Sequence, residues 1–254
     1  QTLDGTQLYY SLSNGYKSGG YYGGFIATPE QAELAAYGPE YILANELGLR
    51  TELFDNQWKI AAAVFHYDYQ DQQVFMNQAS ATPGAPPLQL LENVASSTIY
   101  GAELENTWFL GSDIDITFNV GYLPHAEFDK YVDPLGNALT DHRLPFTSEW
   151  NIASNINYRL NISDGELAVS LGNDYQSEYY FDQNMNESAM QDNVLLWHAN
   201  ISYSIAAWHV NLWGKNLTDE HYSHLKFDLS SFLGMLEDFK AEGRQYGINL
   251  RYQF

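Results

Sequence analysis

The sequence predicts an all-β protein, an antiparallel transmembrane β-barrel, and three observations predict it. Segments of strict apolar/polar alternation recur from one end of the chain to the other. The connections between them alternate between short turns and long loops. The final segment, Gly243 to Phe254, puts Tyr246, Ile248, Leu250, Tyr252 and Phe254 on one face and Gly247, Asn249, Arg251 and Gln253 on the other. Period-two alternation marks a strand. An apolar strand face ending in a free aromatic is an aggregation hazard in water, but it is a natural surface in a barrel whose outer face meets lipid.

Taken in order, the first strand runs from Thr6 to Lys17, with Leu8, Tyr10 and Leu12 opposite Tyr9, Ser11 and Ser13. The second spans about Glu40 to Leu53, with Leu47, Leu49 and Leu53 opposite Glu46, Gly48, Arg50 and Glu52. After the turn at Phe54-Asp55-Asn56-Gln57, the third reaches about Phe75, and its two faces blur at Phe65-His66-Tyr67. A loop from Met76 to about Ala95 follows, in which Pro83, Pro86 and Pro87 argue against regular structure. The fourth, Thr98 to Leu110, sets Tyr100, Ala102, Leu104 and Trp108 against Gly101, Glu103, Glu105 and Thr107.

The fifth sets Ile114, Ile116, Phe118, Val120 and Tyr122 against Asp115, Thr117, Asn119 and Gly121, and a loop is expected from Phe128 to Leu144. The sixth carries Trp150, Ile152, Ile156, Tyr158 and Leu160 on one face; the seventh carries Leu167, Val169 and Leu171. The eighth alternates from Leu195 to Tyr203, the ninth spans Trp208 to Leu217, and the terminal strand is the tenth. Between the last two, Ser230 to Phe239 reads as a short helix within the loop Thr218 to Glu242. The connections before strands three, five, seven and nine are short, and those before the even-numbered strands are long. Short turns on one rim and long loops on the other describe bacterial outer-membrane barrels; a soluble sandwich has no reason to sort its connections this way.

Composition agrees. The 254 residues include 20 Tyr, 13 Phe and 6 Trp, yet mean hydropathy is only −0.36, as when lipid-facing and lumen-facing residues cancel. No apolar run is long enough for a helical span. A net charge of −21 argues against nucleic acid as a partner, since few cations are available for phosphates. Cysteine is absent, which removes disulfide and thiolate chemistry.

Three stretches carry a family resemblance. L-Y-Y-S-L-S-N-G-Y-K-S-G-G (Leu8 to Gly20), N-E-L-G-L-R-T-E-L (Asn45 to Leu53) with the hairpin after it, and Y-G-A-E-L-E (Tyr100 to Glu105) resemble successive strands of the TonB-dependent outer-membrane receptors. G-K-N-L-T-D-E-H-Y (Gly214 to Tyr222) and the terminal strand continue the resemblance to the end of the chain. It implies a bacterial outer-membrane transporter that takes up a scarce ligand, most often a ferric siderophore, otherwise cobalamin, haem or an oligosaccharide, energised through TonB. It also implies a barrel of about 22 strands filled by an N-terminal plug. Residues 1–254 are therefore expected to be the C-terminal portion of the barrel, with the plug, the earlier strands and the TonB-binding segment outside this chain; the alternative is a complete ten-stranded barrel. In this family the terminal strand, Tyr246 to Phe254, is the signal read by the barrel-assembly machinery.

Glu46, Arg50, Glu103, Glu105, Lys215 and Arg251 fall on lumen faces, where charges must be solvated or paired, and the resemblance favours a plug as their partner. Glu103 and Glu105 are the expected plug-docking pair. The loop aromatics Tyr179, Tyr180, Phe181, Tyr222 and Phe227, with Asp182, are the candidate ligand contacts, because loop aromatics bury area with few rotors; Tyr21, Tyr22 and Phe232 share that character. The bland alternative for such rim aromatics is a membrane-interface girdle.

No transition-metal motif and no cofactor site is evident, although loop carboxylates Asp182, Glu187 and Asp192 could hold Ca²⁺ through oxygen. An enzyme is not expected. The runner-up readings are an omptin-type outer-membrane protease, which would use Asp141-His142 or His221 to His224, and a passive porin.

Overall fold

A computed structural model describes residues 5–23, 35–78, 88–132, 138–229 and 234–254. The strands are β1 (Thr6–Lys17), β2 (Gly20–Tyr21), β3 (Ala36–Tyr37), β4 (Glu40–Leu53), β5 (Trp58–Gln78), β6 (Leu88–Leu110), β7 (Ile114–Tyr131) and β8 (Trp150–Ile162). They continue with β9 (Gly165–Gln176), β10 (Tyr179–Tyr180), β11 (Met190–Gln191), β12 (Val194–Ile205), β13 (Trp208–Lys215), β14 (Ser223–Asp228), β15 (Leu236–Lys240) and β16 (Gln245–Tyr252). Ten of them form one antiparallel sheet in the order β1-β4-β5-β6-β7-β8-β9-β12-β13-β16. The other six pair as β2–β3, β10–β11 and β14–β15, all within the long connections.

The short turns are made by left-handed backbone. Phe54, Asp55 and Asn56 have φ of 55°, 53° and 66°, Gly111 has 74°, Ser163 has 54° and Ala206 has 50°. Positive φ gives a hairpin turn the twist its strands require.

Register then assembles two continuous faces. Across the sheet Glu46 stands opposite Phe65, Ala63 opposite Glu103, and Glu105 opposite Asn119. Gly172 stands between Asn155 and His198, and Asn200 opposite Trp213. This is the inner face. On the other, Leu47, Val64 and Ala102 align, as do Leu104, Val120 and Ile152.

Many outward side chains are uncovered by protein; Leu8 is 71% exposed and Ile248 66%. Such a contiguous apolar surface fits hydrocarbon, not water. Aromatics bound it at both edges. Trp58 and Trp108 lie 5.2 Å apart, and Trp208 and Tyr252 4.7 Å apart, beside the short turns. Tyr122 and Trp150 stack at 4.2 Å toward the long loops. Tyr100 and Trp108 are eight residues apart on β6, which at strand rise gives a band of about 25 Å.

Three expectations are corrected. The third strand runs past Phe75 to Gln78, the fourth starts at Leu88 instead of Thr98, and the fifth continues to Tyr131 instead of yielding to a loop at Phe128. Ladder pairing carries these strands well beyond the lipid, where neither face must be apolar, so the period-two signal fades although the strand does not. Bulges between Tyr69 and Gln72 and between Tyr100 and Ala102 shift the phase further. The blurred faces resolve as Phe65 and Tyr67 inward, stacked at 4.9 Å, with His66 outward. Pro83, Pro86 and Pro87 lie outside the described residues.

The expected helix at Ser230 to Phe239 is also corrected, since Leu236–Lys240 is a strand paired with Ser223–Asp228. Cross-strand packing of Phe227 on Phe239, edge to face at 6.2 Å, supports the hairpin. Residues 230–233, Phe232 among them, lie outside the described residues.

A small core sits above the membrane band: Ala95, Ala126, Phe128, Tyr131 and Leu144, flanked by Val74, Ile99, Leu123 and Leu139. Arg143 ties its covering loop down, donating from Nε to the Thr147 carbonyl at 2.8 Å and from Nη2 to the Leu123 carbonyl at 2.6 Å. Burial pulls this guanidinium below its ordinary pKa, opposed by Glu149 and Glu127.

Candidate functional site

A concavity lies on the inner face toward the long-loop rim. Inward alternation on β6 delivers Glu103 and Glu105, on β7 Asn119, on β8 Asn151, on β9 Asp174 and on β12 Leu196. Loop side chains Tyr179, Tyr222 and His224 line it on the long-loop side, and the cavity measures 530 Å³. That lies within the usual range for a small-molecule site.

That side is positioned by a chain of specific bonds that begins at the Gly214 to Tyr222 motif. Asn216, buried with φ 49°, donates from Nδ2 to the Glu220 carbonyl and accepts from the Glu220 N–H on Oδ1. Asp219 accepts the Arg244 N–H at 2.8 Å, and this bond, with the Arg244 charge, lowers its carboxyl pKa. The chain is thereby turned back over the lumen, and a side chain at Gly214 would strike Leu217.

The β14–β15 hairpin is then stitched to the preceding loop. Ser223 donates its N–H to Gln191 Oε1 at 2.8 Å and its hydroxyl to Asp238 at 2.6 Å. Lys226 Nζ donates to the Met190 carbonyl at 2.6 Å, and Ser188 bonds Asp228 at 2.8 Å. Lys240 sits 2.6 Å from Asp238 and, with the Ser223 hydroxyl, holds that carboxyl below its usual range.

The predicted loop residues separate into different roles. Tyr179 and Tyr222 both line the cavity. Burial, with a smaller contribution from Tyr222, raises the Tyr179 phenol above its ordinary pKa. Phe181 is buried, with its ring edge-on to Phe146 at 5.4 Å and to Tyr179 at 5.1 Å. Tyr180 is partly buried, pairs with Met190, and accepts the Phe146 N–H on its carbonyl. Asp182 accepts the backbone N–H of Asn184 and of Asn186 and the side-chain amide of Asn186, closing a loop turn. Phe227 is exposed on the hairpin, away from the cavity-lining set. Tyr21 is exposed, and Tyr22 packs edge-on against Phe75 at 5.4 Å.

Of the six predicted lumen charges, Glu103 and Glu105 reach this cavity. Arg50 lies over the Tyr9 ring at 5.6 Å, while the Tyr9 hydroxyl donates to Glu46 at 2.6 Å. Arg50 and Glu105, with Glu52 and Lys59, line a separate 320 Å³ cavity nearer the short-turn rim. Lys215 lines a third, of 370 Å³, which shares Asp174, Leu196 and Tyr222 with the first. Arg251 lies opposite His209 near the short-turn rim.

Sequence reasoning passed over Asp174, which the inward phase of β9, read from Ala168, Ser170 and Gly172, would have marked. His224, which the protease reading had singled out, lines the cavity. Asp141 is held by its N–H on the Phe128 carbonyl, and the His142 ring lies 3.2 Å from the Gln183 carbonyl.

A family model described as TonB dependent receptor-like, beta-barrel, matches residues 1–217. The fold resembles the ferric yersiniabactin uptake receptor from Yersinia pestis, with a TM-score of 0.80 and 22% identity over 100% of this chain and 36% of that one. It also resembles the ferric preacinetobactin receptor from Acinetobacter baumannii, with a TM-score of 0.69 and 16% identity over 100% of this chain and 35% of that one. A copper transporter matches with a TM-score of 0.67 and 15% identity over 99% of this chain and 37% of its own. The chain thus spans about a third of the length of these solved proteins. The inward polar face, the lipid-facing belt and the family match lead to one assignment: the chain belongs to the TonB-dependent receptor family and forms part of its β-barrel.

Proposed function

We propose that this chain carries the inner wall and outer loops of a bacterial outer-membrane receptor that takes up a scarce small ligand, with TonB supplying the energy and a ferric siderophore as the ligand class. The observation that carries this reading is the 530 Å³ cavity on the inner face. A receptor needs a concave, pre-formed site with a few convergent polar groups, and the loop hairpin bonded into place beside the inner face helps to form one. The two solved siderophore receptors of like fold support the iron-chelate class.

In this reading residues 1–254 are the C-terminal portion of the barrel. Within the described residues β1 and β16 each pair on one side only, and strands supplied from upstream in the same polypeptide close the barrel between them. A plug from that upstream region meets the inward charges Glu46, Arg50, Lys215 and Arg251 and stays below the cavity, so that Glu103 faces the ligand and Glu105, at the boundary, faces both. The lower cavity with Arg50, Glu52, Lys59 and Glu105 offers such a plug both signs of charge. The terminal strand, Tyr246 to Phe254, engages the barrel-assembly machinery.

The test is uptake of radiolabelled ferric chelates by iron-starved cells expressing the full-length receptor, with and without TonB. Accumulation should require both the receptor and TonB, and Tyr222→Ala should reduce it about tenfold, as loss of a central aromatic contact does. Equal accumulation without TonB, or none for any chelate class, would overturn the reading.

A further inference from the structure

The eleven Lys and Arg residues of the chain all fall among the described residues, and most are committed elsewhere. Lys17 faces Glu40, Lys59 faces Glu52, Arg159 faces Asp115, Lys240 faces Asp238 and Arg244 faces Asp219. Arg50 lies over the Tyr9 ring, Arg143 is bound to backbone carbonyls and Lys226 to the Met190 carbonyl. Of the other three, Lys130 sits near the outer end of β7, Arg251 near the opposite rim, and Lys215 in the neighbouring cavity.

The 530 Å³ cavity is therefore lined by three carboxylates, Glu103, Glu105 and Asp174, and by no Lys or Arg. Among the described residues no cation pairs with Glu103 or Glu105, and Asp174 has only the His198 ring, 3.6 Å away. The phenol rings of Tyr179 and Tyr222 complete the wall.

Resting on the uptake reading above, we propose that this cavity selects its ligand by charge: it accepts a small chelate of net positive charge and rejects anionic ones, with Glu103, Glu105 and Asp174 setting the preference. A cleft lined by one sign of charge between low-dielectric walls focuses its field and raises the local concentration of the opposite sign. The same three carboxylates repel one another until a cation enters. Tyrosine faces favour a cation further through their ring quadrupoles. An anionic chelate would meet repulsion at the level of Glu103 and Glu105, with no guanidinium or ammonium within the cavity to offset it.

The absence of cysteine from this chain permits a test that needs no knowledge of the ligand. In the full-length receptor, with any thiols outside this region replaced by Ser, Asn119→Cys places one thiol in the cavity wall; Asn151→Cys repeats it from the next strand. Each is treated with a trimethylammonium thiosulfonate and with a sulfonate thiosulfonate, and the ratio of the two rates is compared with that on free cysteine. The cationic reagent should be favoured about tenfold or more over the free-cysteine ratio. Combining Glu103→Gln, Glu105→Gln and Asp174→Asn should bring the preference to within about threefold of it. A wild-type ratio at or below that of free cysteine, or one unchanged in the triple variant, overturns the proposal.

A second arm measures binding of a cationic ferric trihydroxamate and an anionic ferric tris-catecholate to the same protein. Tighter binding of the tris-catecholate would sink the charge preference and leave the uptake reading standing. A cation-selective thiol ratio with neither chelate bound would uphold the charge preference and count against iron chelates as the ligand class.

Discussion

Asp115 Oδ1 lies 2.8 Å from Arg159 Nη1, and Asp115 Oδ2 accepts the Asn157 amide at 2.6 Å, so one buried inward carboxylate clamps β7 to β8. Asp115→Ala would leave both donors without this acceptor. Because the Arg159 side chain is half exposed, water recovers part of the loss, and the expected cost is about 1–2 kcal/mol. The measure is the temperature at which the folded band is lost in heat-modifiability gels. Asp115→Asn should fall between the two; equal stability of Asp115→Ala and wild type would show that the clamp is idle.

The chain's last aromatic is presented rather than packed away. Phe254 is fully exposed, with its ring edge-on to Tyr252 at 5.0 Å, and Tyr252 in turn meets Trp208 at 4.7 Å. Deleting Phe254 should therefore lower the amount of membrane-inserted, heat-modifiable receptor several-fold, on the order of 1 kcal/mol. Tyr252→Phe keeps every ring and should be nearly silent. Insertion of the deletion variant at wild-type level counts against an assembly role.

Tyr222 and Phe181 should fail differently. Tyr222 lines the cavity, so Tyr222→Ala should weaken ligand binding about tenfold with little change in folded yield. Phe181 is buried between Phe146 and Tyr179, and Phe181→Ala should cost the loop about 3 kcal/mol. Hydrogen exchange across residues 176–193 should rise in that variant. Reversed outcomes would place the recognition surface in the wrong pair of side chains.

The β14–β15 hairpin should loosen in acid. Asp238 has its carboxyl pKa held below the usual carboxylate range by Lys240 and the Ser223 hydroxyl. A carboxyl depressed in the folded state contributes stability that is full above its unfolded pKa and is lost as pH falls through the folded one. Limited proteolysis of the β14–β15 hairpin should thus be slow at neutral pH and quicken below about pH 4. Asp238→Asn should be cleaved faster at neutral pH and lose the acid step; a variant that keeps the same step assigns it to another group.

Alternation made the membrane band legible. The fifth-strand reading, Ile114 through Tyr122 against Asp115 through Gly121, matches the structure because each of those residues chooses between hydrocarbon and water. That choice vanishes above the band, so the outer halves of β5, β6 and β7 could not be read from period alone. The site was half legible for the same reason. Glu103 and Glu105 followed from phase, while their meeting with Tyr222 depends on Gln191 and Asp238, each bonded to Ser223 from a distant part of the chain. Phe181 looked like its neighbour Tyr179, and only packing against Phe146 tells a buried wedge from a wall of the cavity.

The length of β6 has a consequence for what can reach the site. From Leu88 to Glu103 the strand continues for about fifteen residues, roughly 50 Å at strand rise, so the cavity floor lies far below the outer end of the β5–β6 hairpin. A large molecule held at the outer end of that hairpin stands far from Glu103, whereas a small solute can travel down the inner face to it.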